Sequence, residues 1–148
     1  VGEVNGVEKM TQENAVIGGE GNGGVIYPEL HYGRDALVGI ALFLSLLAKS
    51  GKTCSALRAS YPNYEISKNK MELTPEMNVD LILEKMAKKY ADCEVLTTDG
   101  VKIMFKDEWV HLRKSNTEPI IRIYSESRDM AAANALATKI MNEIKQLL

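Results

Sequence analysis

The second half of the chain is punctuated so tightly that few arrangements of it are open. Segments 94–97, 101–105 and 109–113 are short and rich in apolar, β-branched and aromatic residues, and they are separated by Asp99-Gly100 and by Lys106-Asp107-Glu108. Connections this short join antiparallel neighbours, because a parallel return needs a dozen residues or more. After the polar stretch 114–118 and Pro119, residues 120–125 read as another strand. Residues 131–148 read as an amphipathic helix with Leu136, Ile140, Ile144 and Leu147 as its buried stripe. Upstream, 64–73 reads as a strand, and Thr74-Pro75-Glu76 starts a helix that runs to Tyr90 with Val79, Ile82, Leu83 and Met86 on one face. The order β-α-β-β-β-β-α predicts an antiparallel sheet with two helices on one side, an α+β sandwich of about 88 residues.

The first sixty residues are organised differently. A short apolar stretch, 15–17, runs into Gly18-Gly19-Glu20-Gly21-Asn22-Gly23-Gly24, and Val25 to Tyr27 then resumes an extended pattern, giving a strand, a glycine loop and a strand. Asp35 stands at the N-cap position of a helix over 36–50, with Lys49 in its last turn and Gly51 to end it. Its nearly apolar run, 36–48, has 13 residues. That is too short to cross a bilayer core of roughly 30 Å, so it reads as a buried helix. The sequence ASYPN at 59–63 carries a proline and small polar residues, which places a domain boundary near Tyr61. The expected domains are therefore 1–60 and 61–148.

Charge and cysteine content exclude several functions. Lys plus Arg number 18 against 20 Asp plus Glu, a net charge of -2, so no global field draws the chain to nucleic acid or to anionic lipid. Cys54 and Cys93 stand apart without a Cys-x-x-Cys or Cys/His cluster, against a disulfide scaffold or zinc site and consistent with a reducing cytoplasm. The polar opening has no hydrophobic segment of a secretory signal, and the absence of a starting Met suggests a piece of a longer protein.

Chemistry concentrates in two places. Arg113-Lys114-Ser115-Asn116-Thr117-Glu118-Pro119, with Arg122 shortly after, puts hydroxyls, an amide and two guanidiniums around one turn. Such donors suit a phosphate, because a guanidinium grips two oxygens at once and turn N–H groups add further donors. A cation about 4 Å from a phosphate charge gains on the order of 4 kcal/mol at an effective dielectric near 20, before desolvation. An ordinary solvated turn capped by Ser, Asn and Pro accounts for the same residues. The glycine segment formally contains Gly-x-Gly-x-x-Gly, but an extended Val25 to Tyr27 and Pro28 follow where a dinucleotide fold needs a helix. Its glycines instead let the backbone approach a ligand while Glu20 and Asn22 face sugar hydroxyls; a plain flexible hairpin is the alternative. Gly51-Lys52-Thr53 looks like the end of a P-loop, yet it ends a helix rather than starting one. His31 and His111 lie near no metal-ligand cluster, and the methionines and Trp109 are expected in the core.

Taken jointly, the glycine segment 19–24, Asp99-Gly100-Val101, Trp109 and Arg113-Lys114-Ser115-Asn116-Thr117-Glu118-Pro119 resemble the α-D-phosphohexomutase family over nearly the whole chain. The resemblance implies that 1–60 is the tail of an α/β third domain carrying a sugar-binding loop, and that 61–148 is a fourth, phosphate-binding domain with a TATA-box-binding-protein-like fold. It further implies an isomerase that interconverts hexose 1-phosphate and hexose 6-phosphate through a phosphoserine and a bisphosphorylated sugar. The implied sugar contacts are Glu20 and Asn22. For the phosphate the matching residues are Arg113, Ser115, Asn116, Thr117 and Arg122. Catalytic serine and magnesium loop belong to earlier domains of that family, so Mg2+ is expected outside this chain and the piece alone is expected to be inactive. Expected partners are a hexose phosphate and the preceding domains of the same protein, with no nucleic acid and no membrane. Many members carry Ser-Gly-His where this chain has Asn22-Gly23-Gly24, which leaves the sugar preference open. A stand-alone, noncatalytic anion-binding module is the rival reading.

Overall fold

A computed structural model describes residues 3–21, 23–74, 77–115 and 117–147. They form two compact units, Val1–Pro62 and Asn63–Leu148. In the first unit, α1 (Glu3–Gln12) is followed by the strands β1 (Gly18–Gly19), β2 (Val25–Tyr27) and β3 (His31–Arg34), then by α2 (Ala36–Ser50) and α3 (Cys54–Ala59). The three strands make a small antiparallel sheet in sequence order. The first strand lies at Gly18 and Gly19 rather than at the apolar 15–17, because the pairing Gly18↔Ile26 sets the hairpin register. Helix α1 is tied to β3 by Glu3, whose carboxylate accepts from the Arg34 backbone N–H at 3.2 Å and from its Nε at 3.0 Å.

Helix α2 starts and stops where its residue types dictate. The Asp35 carboxylate accepts from the Val38 N–H at 2.9 Å, and this bond, with help from His31, holds the carboxyl below the usual carboxylate range. Gly51 ends the helix in the left-handed region at φ 63°. Its burial differs from the sequence expectation: α2 has no buried residue, and Leu37, Ile40, Phe43 and Leu44 are all exposed. The helix rests on β2 where Gly39 meets Val25, and a helix this apolar all round is not covered on its other sides. Thr53 caps α3 through the Ala56 N–H, so Gly51-Lys52-Thr53 links two helices.

The second unit contains β4 (Glu65–Glu72), α4 (Val79–Lys89), β5 (Glu94–Leu96), β6 (Val101–Met104), β7 (Trp109–Lys114), β8 (Ile120–Ser127) and α5 (Met130–Gln146). Its five strands are antiparallel in the order β4-β8-β7-β6-β5, the α+β architecture expected from the turns. Helix α4 begins later than Thr74 because Asn78 competes successfully as its cap, accepting from the Leu81 N–H. Pro75 and Glu76 lie outside the described residues. Period-two alternation sends Val101, Ile103, Val110, Leu112, Ile121 and Ile123 to one face. There they meet Val79, Ile82, Leu83 and Met86 of α4 and Leu136, Ala137, Ile140 and Ile144 of α5. Each fully buried aliphatic side chain contributes roughly 1.5 to 3 kcal/mol. Ser125, buried on this face, donates to the Ala133 carbonyl and so needs no water.

The other face of the sheet carries no helix of this unit. Trp109 belongs to it, contrary to the core placement expected from its size, because strand parity sets it opposite Val110. Its indole N–H donates to Glu126 at 2.8 Å, and the Lys102 ammonium lies 4.2 Å from the ring centroid. Among the described residues no helix is long and apolar enough to cross a membrane.

Candidate functional site

The β7–β8 hairpin presents the donor-rich turn. Ser115 N–H donates to the Ile120 carbonyl at 3.1 Å, and Ile120 N–H donates to the Glu118 carbonyl at 2.8 Å, which ties the end of β7 to the start of β8. Pro119 is fixed from the neighbouring strand, since its carbonyl accepts from the Leu73 N–H at 2.9 Å. Ser115 is buried at the base of the loop, and its Oγ accepts a long contact from the Thr117 N–H at 3.5 Å. Asn116 is outside the described residues. Lys114 faces the helix side and pairs with Asp80 at 3.4 Å, so it is not part of the turn's donor set.

Register then adds what the sequence could not show. Arg113 on β7 is the direct cross-strand partner of Arg122 on β8, and Arg122 is the direct partner of Lys70 on β4. All three stand on the helix-free face, in one row beside the turn. Like charges placed opposite each other oppose folding, and here acidic neighbours offset part of that cost. Asp99 Oδ1 lies 3.1 Å from Arg113 Nε, and Glu118 Oε2 lies 3.8 Å from an Arg122 Nη atom. A row of cations beside a turn of hydroxyls and backbone donors can bind an anion with several oxygens. Lys70 was missed by sequence reasoning, since it lies about fifty positions from Arg122 and nothing local marks it.

His111 sits in the next row of the same face, buried, with Nε2 against the Asp99 carbonyl. A carbonyl can only accept, so Nε2 carries the proton. Burial pushes the imidazole below the ordinary histidine range, although the Asp99 carbonyl works the other way. The ring is therefore neutral at pH 7 and acts as a brace for the Asp99-Gly100 turn.

In the first unit two backbone hydrogen bonds draw the ends of the glycine segment together. Glu20 N–H donates to the Gly24 carbonyl at 3.0 Å and Gly23 N–H donates to the Glu20 carbonyl at 2.9 Å. Glu20 is half-buried and lines, with Gly18, Gly24, Met10 and Arg34, a cavity of about 230 Å³. Asn22 lies outside the described residues. His31 pairs with Asp35 at 3.2 Å and serves the start of α2.

Comparison with known proteins covers both units. The family model described as phosphoglucomutase/phosphomannomutase alpha/beta/alpha domain III matches residues 1–64, and that of the phosphoglucomutase/phosphomannomutase C-terminal domain matches 70–143. A phosphoglucosamine/phosphogalactosamine mutase of Sulfurisphaera tokodaii is 41% identical over 150 residues, with 100% of this chain and 32% of the relative covered. A phosphoglucomutase/phosphomannomutase of Thermococcus kodakarensis is 38% identical over 148 residues, with 97% of this chain and 32% of the relative covered. Among solved structures, a phosphoglucomutase/phosphomannomutase family protein of Burkholderia thailandensis superposes with a TM-score of 0.70 at 25% identity, covering 97% of this chain and 31% of that one. This chain thus spans about a third of the length of the relatives it matches.

Proposed function

We propose, since this chain belongs to the phosphoglucomutase/phosphomannomutase family, that it supplies the substrate-holding part of a mutase interconverting hexose 1-phosphate and hexose 6-phosphate. The observation that carries this reading is the row Lys70, Arg122, Arg113 beside the turn 115–119. In a reaction that passes through a phosphoserine and a bisphosphorylated sugar, one phosphate is transferred while the other must be held. Arg113, Arg122 and Lys70 would supply the charge, and Ser115, Asn116 and Thr117 the directional donors. A clamp of this composition reads the phosphate and not the carbon that bears it. It would therefore accept the bisphosphorylated sugar in either orientation, which an exchange between two ends of one ring requires. Glu20 and Asn22, on the glycine hairpin, would meet the ring hydroxyls.

Among the described residues no group of three or more His, Cys, Asp or Glu side chains is placed to hold a metal ion. The magnesium expected for the family would be held by residues outside this chain. Cys54 and Cys93 are both free thiols, which suits work in a reducing compartment such as the cytoplasm.

Titration of the chain with inorganic phosphate, followed by amide chemical shifts, tests the clamp. Ser115 and Thr117 are expected to move, with a Kd on the order of millimolar because the ligand stays exposed to water on one side. Binding should weaken as ionic strength rises. Arg113→Ala should abolish it, and Arg113→Lys should restore it in part, since an ammonium lacks the planar two-point grip. Movement elsewhere with a still turn would sink the reading.

The sequence holds no Asp-x-Asp-x-Asp segment, and none of its serines lies in a setting like the family's phosphoserine loop. Phosphoryl transfer depends on a nucleophile and neutralising charge placed about the moving group, which a clamp on the distant phosphate does not provide. These 148 residues alone are therefore expected to show no mutase turnover in a coupled assay with magnesium and a bisphosphorylated activator. Turnover proportional to the amount of pure chain would refute this.

A further inference from the structure

The turn joining β5 to β6 is fastened to β7 at successive residues. The Asp99 carbonyl accepts from His111, the Asp99 carboxylate pairs with Arg113, and Gly100 lies so close to the strand that an added Cβ would stand 2.2 Å from the Leu112 carbonyl oxygen and 3.2 Å from Arg113 Cα. Arg113 and Asp99 are both largely shielded, with side chains 33% and 23% exposed. Asp99 is therefore held in register with the residue that opens the phosphate turn.

By charge alone this arrangement is unfavourable for anion binding, because a fixed carboxylate beside the site repels the ligand. Its geometry offers a reason for it to be there. Arginine is a long side chain with substantial rotamer freedom and five N–H donors in a planar fork. Capture at Nε restricts the side chain while leaving the Nη donors to meet a second anion. Ordering a binding group in advance raises affinity by removing the entropy lost on binding.

We propose that Asp99 is a positioning residue for phosphate recognition, holding Arg113 by Nε so that its remaining donors are presented beside Ser115 and Thr117. This rests on the phosphate reading of that turn. The two possible roles of Asp99 rank its variants in opposite orders. If it acts only as a nearby negative charge, phosphate affinity should rise in Asp99→Asn and stay level in Asp99→Glu. If it positions Arg113, affinity should fall from the parent through Asp99→Glu to Asp99→Asn.

The test is a titration of the whole 148-residue chain with inorganic phosphate, in the parent, Asp99→Glu, Asp99→Asn, Arg113→Ala, and Asp99→Asn combined with Arg113→Ala. Asparagine suits a turn before glycine and keeps the backbone carbonyl that His111 uses, so Asp99→Asn should retain the fold, with Trp109 fluorescence as the check. The expected result is a loss of about five-fold in affinity for Asp99→Asn and a smaller loss for Asp99→Glu, with no binding detected once Arg113 is alanine, whether or not Asp99 is replaced. The Arg113 Nε–H resonance, sharp and slowly exchanging in the parent, should broaden in Asp99→Asn. Affinity in Asp99→Asn equal to or above the parent overturns the positioning role and leaves the clamp standing. A parent whose turn does not respond to phosphate overturns the clamp itself.

Discussion

Gly100→Ala is expected to lower the melting temperature of the second unit by about 15 °C or more, and to remove phosphate binding at temperatures where the variant is still folded. Gly100 has φ +75°, where an alanine costs about 1 kcal/mol by conformation alone. The larger part comes from space: the new Cβ would stand 2.2 Å from the Leu112 carbonyl oxygen, a backbone atom in the middle of the sheet. Either β7 or the turn must shift, which breaks the His111 and Asp99 contacts and costs about 3 kcal/mol or more in total. For a domain of this size each kcal/mol moves the midpoint by about 4 to 8 °C. The single tryptophan, Trp109, lies on β7 in a defined setting, so its fluorescence reports this unit. Gly51→Ala provides the contrast, with φ +63° and nothing within 4 Å of the added Cβ. It should cost about 1 kcal/mol, visible by circular dichroism as a small shift. A Gly100→Ala midpoint within a few degrees of the parent would show that the turn does not fasten the strand.

Self-association of the 148-residue chain is the second large effect expected. Helix α2 leaves Leu37 78%, Ile40 54%, Phe43 42% and Leu44 54% exposed, a contiguous apolar surface on one short helix. Patches of this kind bury themselves against any available partner, and in a pure solution that partner is another copy. Sedimentation velocity over a micromolar dilution series should show an average mass above 16.4 kDa that rises with concentration. Substituting Leu37→Gln, Ile40→Lys and Leu44→Gln together should return the chain to a monomer without loss of helix, since all three replacements are good or acceptable helix formers. A parent that sediments as a monomer throughout, or a triple variant that still associates, would place the association elsewhere or deny it.

How far the sequence revealed this molecule depended on how local each signal was. The β5–β8 meander was readable because Asp99-Gly100 and Lys106-Asp107-Glu108 dictate hairpins by themselves, and the caps of α2 were readable because Asp35 and Gly51 act within one turn. Helix α1 was not read. Its signals were charges, Glu3 at the start and Lys9 near the end with Glu13 beyond it at 2.6 Å, in a stretch with little apolar content. Burial of α2 does not follow from its sequence, because apolar composition shows that a helix needs cover, not that cover is present. Residue type points Trp109 to the core, whereas its strand neighbours Val110 and Leu112 decide which face it takes. Within the candidate site the turn itself was legible, and Arg113 and Arg122 with it. That they stand side by side, joined by Lys70, follows from pairing between β4, β8 and β7 that no local pattern encodes.

That pairing also orders events during synthesis. Strand β4 leaves the ribosome first among the strands of its sheet, yet its partner β8 lies about fifty to sixty positions downstream. Until β8 emerges, β4 has no strand to bond with, and its backbone donors and acceptors face solvent over eight residues. The segments β5, β6 and β7 can close their hairpins meanwhile, each on a neighbour made moments before. The nascent sheet therefore grows from its β5 edge through β6 and β7 to β8, with β4 docking only when β8 arrives. Lys68, Lys70 and Glu72 along the waiting strand discourage it from pairing with the same strand of an adjacent nascent chain on a polysome. Lys70, one of the three cations in the row beside the turn after β7, is then carried into place by the last strand to dock, so the proposed clamp is completed only when the sheet is.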